Sequence, residues 1–369
     1  DTAFVGRIKN KLNNIEVCLH METIKLGIVG LGRAGRHMHL AEIADINKKG
    51  ASFKIVAVCD TIEKRRLEVA RECACKQYAT IEELVKDEEV QMVDIATRSC
   101  DHYEHAKLAI KAKKDVFLEK PMACGYDEEK ELFELAKKSG VKLYVRQNRR
   151  FEKKFLQVRD IIKSGILGDV YEIKLTRNQF ALRNDWQTID TFGGGQLLNW
   201  GPHIIDHALQ FCDGDYNDIF TQTRQINASG NCEDHIKILL NGANGRIVDV
   251  EISSGVALPT PQYTVYGTRG MLVDCGGFLR VKHLPKDFAF EKLPADPSTP
   301  EAGTPGHFAS IPKFDWVEEE FPCESDGLLN EIWKALYDDY VNGIPFPISE
   351  RQVLKSMQVT EIAKKSFVI

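Results

Sequence analysis

At 369 residues the chain has room for about two domains, and 43% hydrophobic with 28% charged residues describes a globular protein able to bury a sizeable core. Its 49 basic and 54 acidic residues leave a net charge of −5 with no clustered basic stripe, which excludes a nucleic-acid footprint. No apolar run approaches the roughly 20 residues that span a bilayer, so no membrane partner is expected.

The ten cysteines are scattered and form no CxxC pair, which reads as reduced thiols in a cytoplasm rather than a disulfide framework. Residues 1–22 show neither a signal-peptide core nor a clear period and are read as an extension outside the fold. From Ile24 an apolar run ends in Gly30, Gly32 and Gly35. This predicts a buried strand, a turn through Gly30, Leu31, Gly32, Arg33, Ala34 and Gly35, and a helix over Arg36 to Ile46. A helix N-terminus with missing side chains admits a pyrophosphate, so a dinucleotide is the expected ligand. Phe53 to Cys59 predicts the second strand. Asp60 follows where an adenosine ribose would lie, favouring NAD over NADP, although it could instead cap the next helix, and Arg65 and Arg66 leave NADP open. Strands at Gln91–Ala96, Asp115–Glu119 and Val141–Val145 alternate with helices at Tyr103–Lys113 and Asp127–Lys138. The pattern predicts a doubly wound parallel sheet over residues 23–147, with ligands at the carboxyl ends of its strands. That rule draws attention to Thr97, Arg98, Glu119, Lys120 and Asn148.

After residue 148 the pattern changes. A helix over Glu152–Ser164 precedes strands at Asp169–Phe180, Ile219–Ile226, His235–Leu240, Arg246–Ser253, Gln262–Tyr266, Met271–Asp274 and Phe278–Val281. This predicts an α+β domain on a mostly antiparallel open sheet, extending to residue 369. The proline-rich stretch 284–325 is expected to be a long loop without regular structure. Two closing helices follow, the first with a stripe of Leu329, Trp333, Leu336 and Tyr340, the second capped by Ser349.

Two constellations carry chemistry. Glu119-Lys120-Pro121 ends a parallel strand where a nicotinamide on the glycine turn would rest, and burial beside a cationic ring would lower the Lys120 pKa. Farther on, Gly193, Gly194 and Gly195 precede Asn199, His203, Asp206 and His207, which a helix from Gln196 would place at steps of three and four. His203 could act as acid or base or bind a hydroxyl. A metal on His203, Asp206 and His207 is the lesser reading, because no further ligand cluster completes it.

These motifs in this order resemble the Gfo/Idh/MocA family of sugar oxidoreductases, from about Ile24 to Asp274 and in the closing helices. The resemblance implies a Rossmann domain followed by an α/β domain whose open sheet mediates homo-oligomers, from dimers upward. It implies hydride transfer between NAD and a secondary hydroxyl of a sugar or cyclitol, without a metal. Lys120 matches the family's catalytic lysine and His203 the histidine of its second motif. The cofactor would contact Gly30 to Gly35, Asp60, Thr97, Arg98, His102, Glu119 and Lys120. The substrate would contact Lys120, Asn148, Arg183, Asp185, Trp186, Asn199, His203 and Asp206. Asn199 departs from inositol dehydrogenase-like members, which place an aspartate there, so a relay from His203 to residue 199 is in doubt. The Trp186 loop and the Trp200-Gly201-Pro202-His203 segment are similar to members that oxidise glycosides at C3. Alternative activities are an inositol or sugar dehydrogenase, an NAD-dependent glycosidase working by transient oxidation and elimination, and a non-catalytic NAD- or sugar-binding regulator.

Overall fold

The computed structural model describes residues 22–258, 260–289, 297, 314–327 and 329–368. The expected N-terminal extension, apart from Glu22, and most of the proline-rich stretch lie outside the described residues.

Six parallel strands build the first sheet: β1 (Ile24–Val29), β2 (Phe53–Cys59), β3 (Lys76–Tyr78), β4 (Met92–Ile95), β5 (Asp115–Glu119) and β6 (Leu143–Arg146). Their order, β3-β2-β1-β4-β5-β6, reverses direction between β1 and β4, which opens a crevice at the carboxyl ends of these two strands. Central strands read as unbroken apolar runs because helices cover both faces, and Ile24, Leu26, Ile28, Val93 and Leu118 are fully buried. The connecting helices are α1 (Leu40–Lys48), α2 (Glu63–Cys73), α3 (Ile81–Leu84), α4 (His102–Lys111) and α5 (Tyr126–Ser139). The three-residue β3 and the single turn of α3 escape the sequence reading because both are too short for a hydrophobic pattern to repeat. Thr80 nevertheless starts α3 with a capping box to Glu83.

Nine strands build the second sheet: β7 (Val170–Asn178), β8 (Tyr216–Arg224), β9 (His235–Gly242), β10 (Ile247–Ser253), β11 (Tyr263–Gly267), β12 (Gly270–Asp274), β13 (Phe278–His283), β14 (Val317–Pro322) and β15 (Phe367–Val368). All neighbours pair antiparallel except β7 with β10 and β8 with β15. Helices α6 (Lys153–Lys163), α7 (Gln196–Asn199), α8 (Gly201–Phe211), α9 (Glu331–Asn342) and α10 (Glu350–Lys364) complete the chain. α6, α8 and α10 pack Phe155, Val158, Ile205, Leu209 and Val359 against Ile236, Ile238, Val250 and Val265 of the sheet. Among the described residues the opposite face is uncovered, so β9 alternates buried Ile236, Ile238 and Leu240 with half-exposed Lys237 and exposed Leu239.

Two expectations are corrected here. Within 284–325, Val317–Pro322 is an edge strand paired with β13, because a Val-Glu-Glu-Glu-Phe run tolerates one solvated side and Pro322 ends it. The helix α9, grouped by sequence with the second domain, lays its stripe in the core of the first. Trp333 is fully buried there, with ring centres 4.6 Å from Phe117 and 5.4 Å from Phe53. Ser349 caps α10 reciprocally with Gln352, as the sequence predicts.

Candidate active site

At the end of β1 the Gly30 amide donates to the Cys59 carbonyl (2.8 Å) and the backbone takes φ +92°, a conformation that favours glycine. A side chain at Gly35 would run into the Gly30 carbonyl oxygen, whereas one at Gly32 would meet no protein atom within 4 Å. The turn is therefore tightly packed behind and open in front, which fits a dinucleotide pyrophosphate approaching Gly32. Gly35→Ala is expected to lower the thermal midpoint, with a cost of about 1–3 kcal/mol for overpacking. Gly32→Ala should keep the midpoint and weaken NAD binding, and thermal scans with and without NAD separate the two effects.

Asp60 serves the same turn. Its Oδ2 accepts from the Leu31 amide and its Oδ1 from the Ile62 amide, both at 2.8 Å, and Arg65 lies 3.7 Å away. It thus clamps the glycine turn and starts α2 at the edge of the crevice. The expected helix over Arg36–Ile46 begins instead with a π-helical turn, Arg33–His39, which carries His39 into the core.

Thr97 and Arg98 lie at the end of β4. The Thr97 hydroxyl is 3.1 Å from His105 Nδ1, while Arg98 pairs with Asp101 and covers the Phe192 ring. His102, expected at the cofactor, has both ring nitrogens against backbone carbonyls, of Pro121 at 2.6 Å and Thr97 at 3.2 Å. It ties two loops of the crevice together. Glu119 is likewise not open to a cofactor. Buried, it faces His39 (2.9 Å) and Arg146 (2.6 Å) through Oε1 and accepts the Lys120 amide through Oε2. The network continues from His39 to Asp94 (2.8 Å), and from Arg146 to both oxygens of Glu42, which also accepts from Trp333. Burial alone would raise the Glu119 pKa, but the charges of Arg146 and His39 hold it well below the usual carboxylate range.

Lys120 leaves this network and enters the cleft. Its Nζ donates to the Asn199 carbonyl at 2.7 Å, joining the two domains. Burial, reinforced by the charges of Arg149, Arg146 and Arg33 and opposed by Glu119, lowers its pKa to about 8. His203, on α8, is held well below 6.5 by burial and by the charges of Lys120 and Arg149, and its Nδ1 is buried without a partner. At neutral pH this pairs a lysine with an appreciable neutral fraction and a neutral imidazole.

The remaining substrate-side residues divide. Asn199 reaches the site through its carbonyl, beside Lys120, and Asn148 is buried at the end of β6. Asp206, expected at the substrate or His203, makes two bonds to Arg150 instead and is 3% exposed. That pair locks α8 to the segment after β6, because a buried carboxylate is stable only with such a partner. His207 stacks on Phe155 and contacts the Arg149 carbonyl at 2.9 Å. Asp206 and His207 are thus drawn to different partners while His203 Nδ1 has none, and among the described residues no cluster suited to a metal forms. In the Trp186 loop, Arg183 pairs with Asp185 (2.9 Å) and bonds Gln187, while Trp186 is half-buried.

Sequence reasoning missed Arg149 and Arg177 and their stacking on Trp200. The guanidinium carbons of Arg149 and Arg177 lie 4.4 and 4.1 Å from the centre of the Trp200 ring, itself 6.0 Å from that of His203. No local spacing announces this group, since it joins the end of β7, a short turn and the start of α8. His39 and Arg146 were missed too, although charged residues inside apolar, strand-end or helix-face patterns are a readable sign of a buried network.

With this geometry in hand, comparison with known proteins decides the family. Residues 24–147 match the oxidoreductase family with an NAD-binding Rossmann fold, and residues 155–273 match the GFO/IDH/MocA C-terminal domain. The chain belongs to the Gfo/Idh/MocA family. It is an NAD-binding oxidoreductase of that type. Over 213 residues it is 33% identical to the uncharacterized oxidoreductase C26H5.09c of Schizosaccharomyces pombe, a match spanning 54% of this chain and 57% of that one. It is 26% identical to the scyllo-inositol 2-dehydrogenase (NADP(+)) IolW of Bacillus subtilis, over 94% of both chains. The solved structure of an oxidoreductase from Thermotoga maritima superposes with a TM-score of 0.76 at 20% identity, covering 94% of this chain and 97% of that one, which shows the shared fold. As in the family description, the NAD-binding half is the one that carries the glycine turn. Among the described residues no helix is long and apolar enough to cross a membrane.

Proposed function

We propose that this Gfo/Idh/MocA oxidoreductase oxidises a secondary hydroxyl of a sugar or glycoside, at C3, to a keto sugar. The observation that carries the reading is Lys120, whose Nζ spans the cleft to the Asn199 carbonyl next to a neutral, unpartnered His203. NAD, when bound on the glycine turn, supplies the hydride acceptor. Lys120 in its neutral form takes the hydroxyl proton, so the substrate loses one proton and one hydride. His203 orients the hydroxyl by a hydrogen bond, and its depressed pKa makes it a weaker base than Lys120. The C3 position rests on the likeness of the Trp186 loop and the Trp200 to His203 segment to glycoside-oxidising members. Trp186 would offer an apolar plane to the sugar ring, with Arg183 and Asp185 at its edge.

The carboxylate of Asp60, beside the turn, supports NAD over NADP because a 2′-phosphate would meet its charge. The nine free thiols among the described residues suit a reducing compartment such as the cytoplasm. A homo-oligomer would use the uncovered face of the second sheet, where Phe220, Leu239 and Ile247 are exposed.

Incubation with NAD and a panel of glycosides, free sugars and inositols should give NADH and a product two mass units lighter. Absence of both across the panel overturns the oxidation, and a product oxidised away from C3 overturns the position.

A further inference from the structure

We propose that the sugar this site oxidises carries an anionic group, a carboxylate or a phosphate, bound by Arg177 beside the Trp200 ring. The reaction rests on the reading above, while the charge of the substrate rests on separate observations.

Four arginines come from β6, the turn after it and the end of β7, and three already hold carboxylates. Arg146 is fixed by Glu42 and Glu119, Arg150 by Asp206, and Arg149 lies 3.2 Å from Glu152. Arg177, at the end of β7, is different. Among the described residues its side chain makes no hydrogen bond or ion pair, and its Nε, like that of Arg146, is buried without a partner. Its guanidinium lies against Trp200, 4.1 Å from the ring centre, and Arg149 lies 4.4 Å from the same ring.

This position faces the chemistry. Trp200 directly follows Asn199, whose carbonyl holds Lys120, and its ring centre is 6.0 Å from that of His203. The charge balance points the same way. Lys120 feels the charge of Glu119, which His39 and Arg146 share, whereas Arg177 is opposed by Glu152, which is already paired with Arg149. Burial and the charge of Arg149 both push the Arg177 pKa down, as expected where a half-buried cation lacks its counter-ion.

A half-buried guanidinium without an anion is costly unless the ligand brings one. A neutral sugar could use the indole plane but would leave the fork unsatisfied. A carboxylate or phosphate would satisfy two of its N–H groups at once and relieve its repulsion with Arg149. The cofactor pyrophosphate is not the answer, because its cradle at Gly30 to Gly35 belongs to β1 of the other domain.

The test compares glucuronate and glucose 6-phosphate with glucose, which share one ring and differ in charge. The acid-to-neutral ratio of kcat/KM should exceed one for at least one of the two anions, and which anion wins identifies the group. In Arg177→Met that ratio should fall about 10- to 100-fold, the worth of a charge-assisted fork, and Arg177→Lys should recover part of it. Equal kcat/KM for charged and neutral sugars, or a ratio unmoved by Arg177→Met, overturns the proposal. Calorimetric titration of the NAD-loaded protein with glucuronate and glucose 6-phosphate separates this failure from that of the oxidation. Arg177-dependent binding without turnover sustains the anion site and refutes the oxidation, whereas oxidation of neutral sugars without anion binding does the reverse.

Discussion

Lys120→Met lowers kcat by about 10²- to 10⁴-fold, the usual worth of a positioned general base, while NAD still binds. The methionine keeps much of the stem volume and removes only the group that takes the proton. The turn itself is built by Gly30, Gly32 and the Asp60 clamp, which the substitution leaves alone. Fluorescence titration of NAD and single-turnover kinetics separate the two, and unaltered turnover refutes the assigned role. The pH dependence has a definite sign. Oxidation needs the neutral amine, so kcat/KM should rise about tenfold per pH unit below the Lys120 value of about 8 and level off above it. Reduction needs the ammonium and should fall as pH rises through the same value. The cationic nicotinamide of bound NAD shifts the oxidation profile to lower pH, whereas the neutral dihydronicotinamide present during reduction does not.

Arg146→Met is expected to destabilise the fold by about 3–5 kcal/mol, because it strands Glu42 in the core without its cation and leaves Glu119 with His39 alone. Arg146 is 1% exposed and bonds both carboxylates at 2.6–2.7 Å, so water cannot take over. Equilibrium unfolding in urea reads the loss, and a cost below about 1 kcal/mol would refute the role of the ion pairs. His39 provides a pH signature of the same network. Burial lowers its pKa, but the charge of Asp94 and the bonds to Asp94 and Glu119 outweigh it and raise the value to about 9. The folded state thus binds more protons than the unfolded state between pH 6.5 and about 9. This stabilisation is complete below 6.5 and is lost as pH rises through 9. The difference in stability between wild type and His39→Gln should shrink over that window. Lys120 contributes the opposite slope above pH 8 in both proteins, so it cancels in the difference.

The network also explains why Glu119 and Lys120 adjoin yet serve different ends. Successive residues at the end of β5 point opposite ways. Glu119 faces the core and becomes the anchor on which His39 and Arg146 converge, while Lys120 faces the cleft. Glu119, His102 and Asp206 were each expected at the site from the family resemblance. Alternation and helix phase turned them toward carbonyls and charges of the interior.

What the sequence determined by itself is local and periodic. Apolar runs separated by helical periods dictate the parallel sheet, and three glycines at their spacing dictate a turn that cofactors share. Glu119-Lys120-Pro121 after a strand places Lys120 at the mouth of the crevice, and Ser349 with Gln352 caps its helix. Such features are legible because they depend on neighbours within a few residues. Tertiary structure decided the rest. It brought Trp333 from the far end of the chain into the first core and buried His39 between Asp94 and Glu119. It set Lys120 against the carbonyl of Asn199, 79 positions away. It also left the Arg177 side chain without a carboxylate, where Arg146, Arg149 and Arg150 each have one. Whether a charge is satisfied depends on what packing places within about 3 Å of it, and one-dimensional spacing carries no information about that.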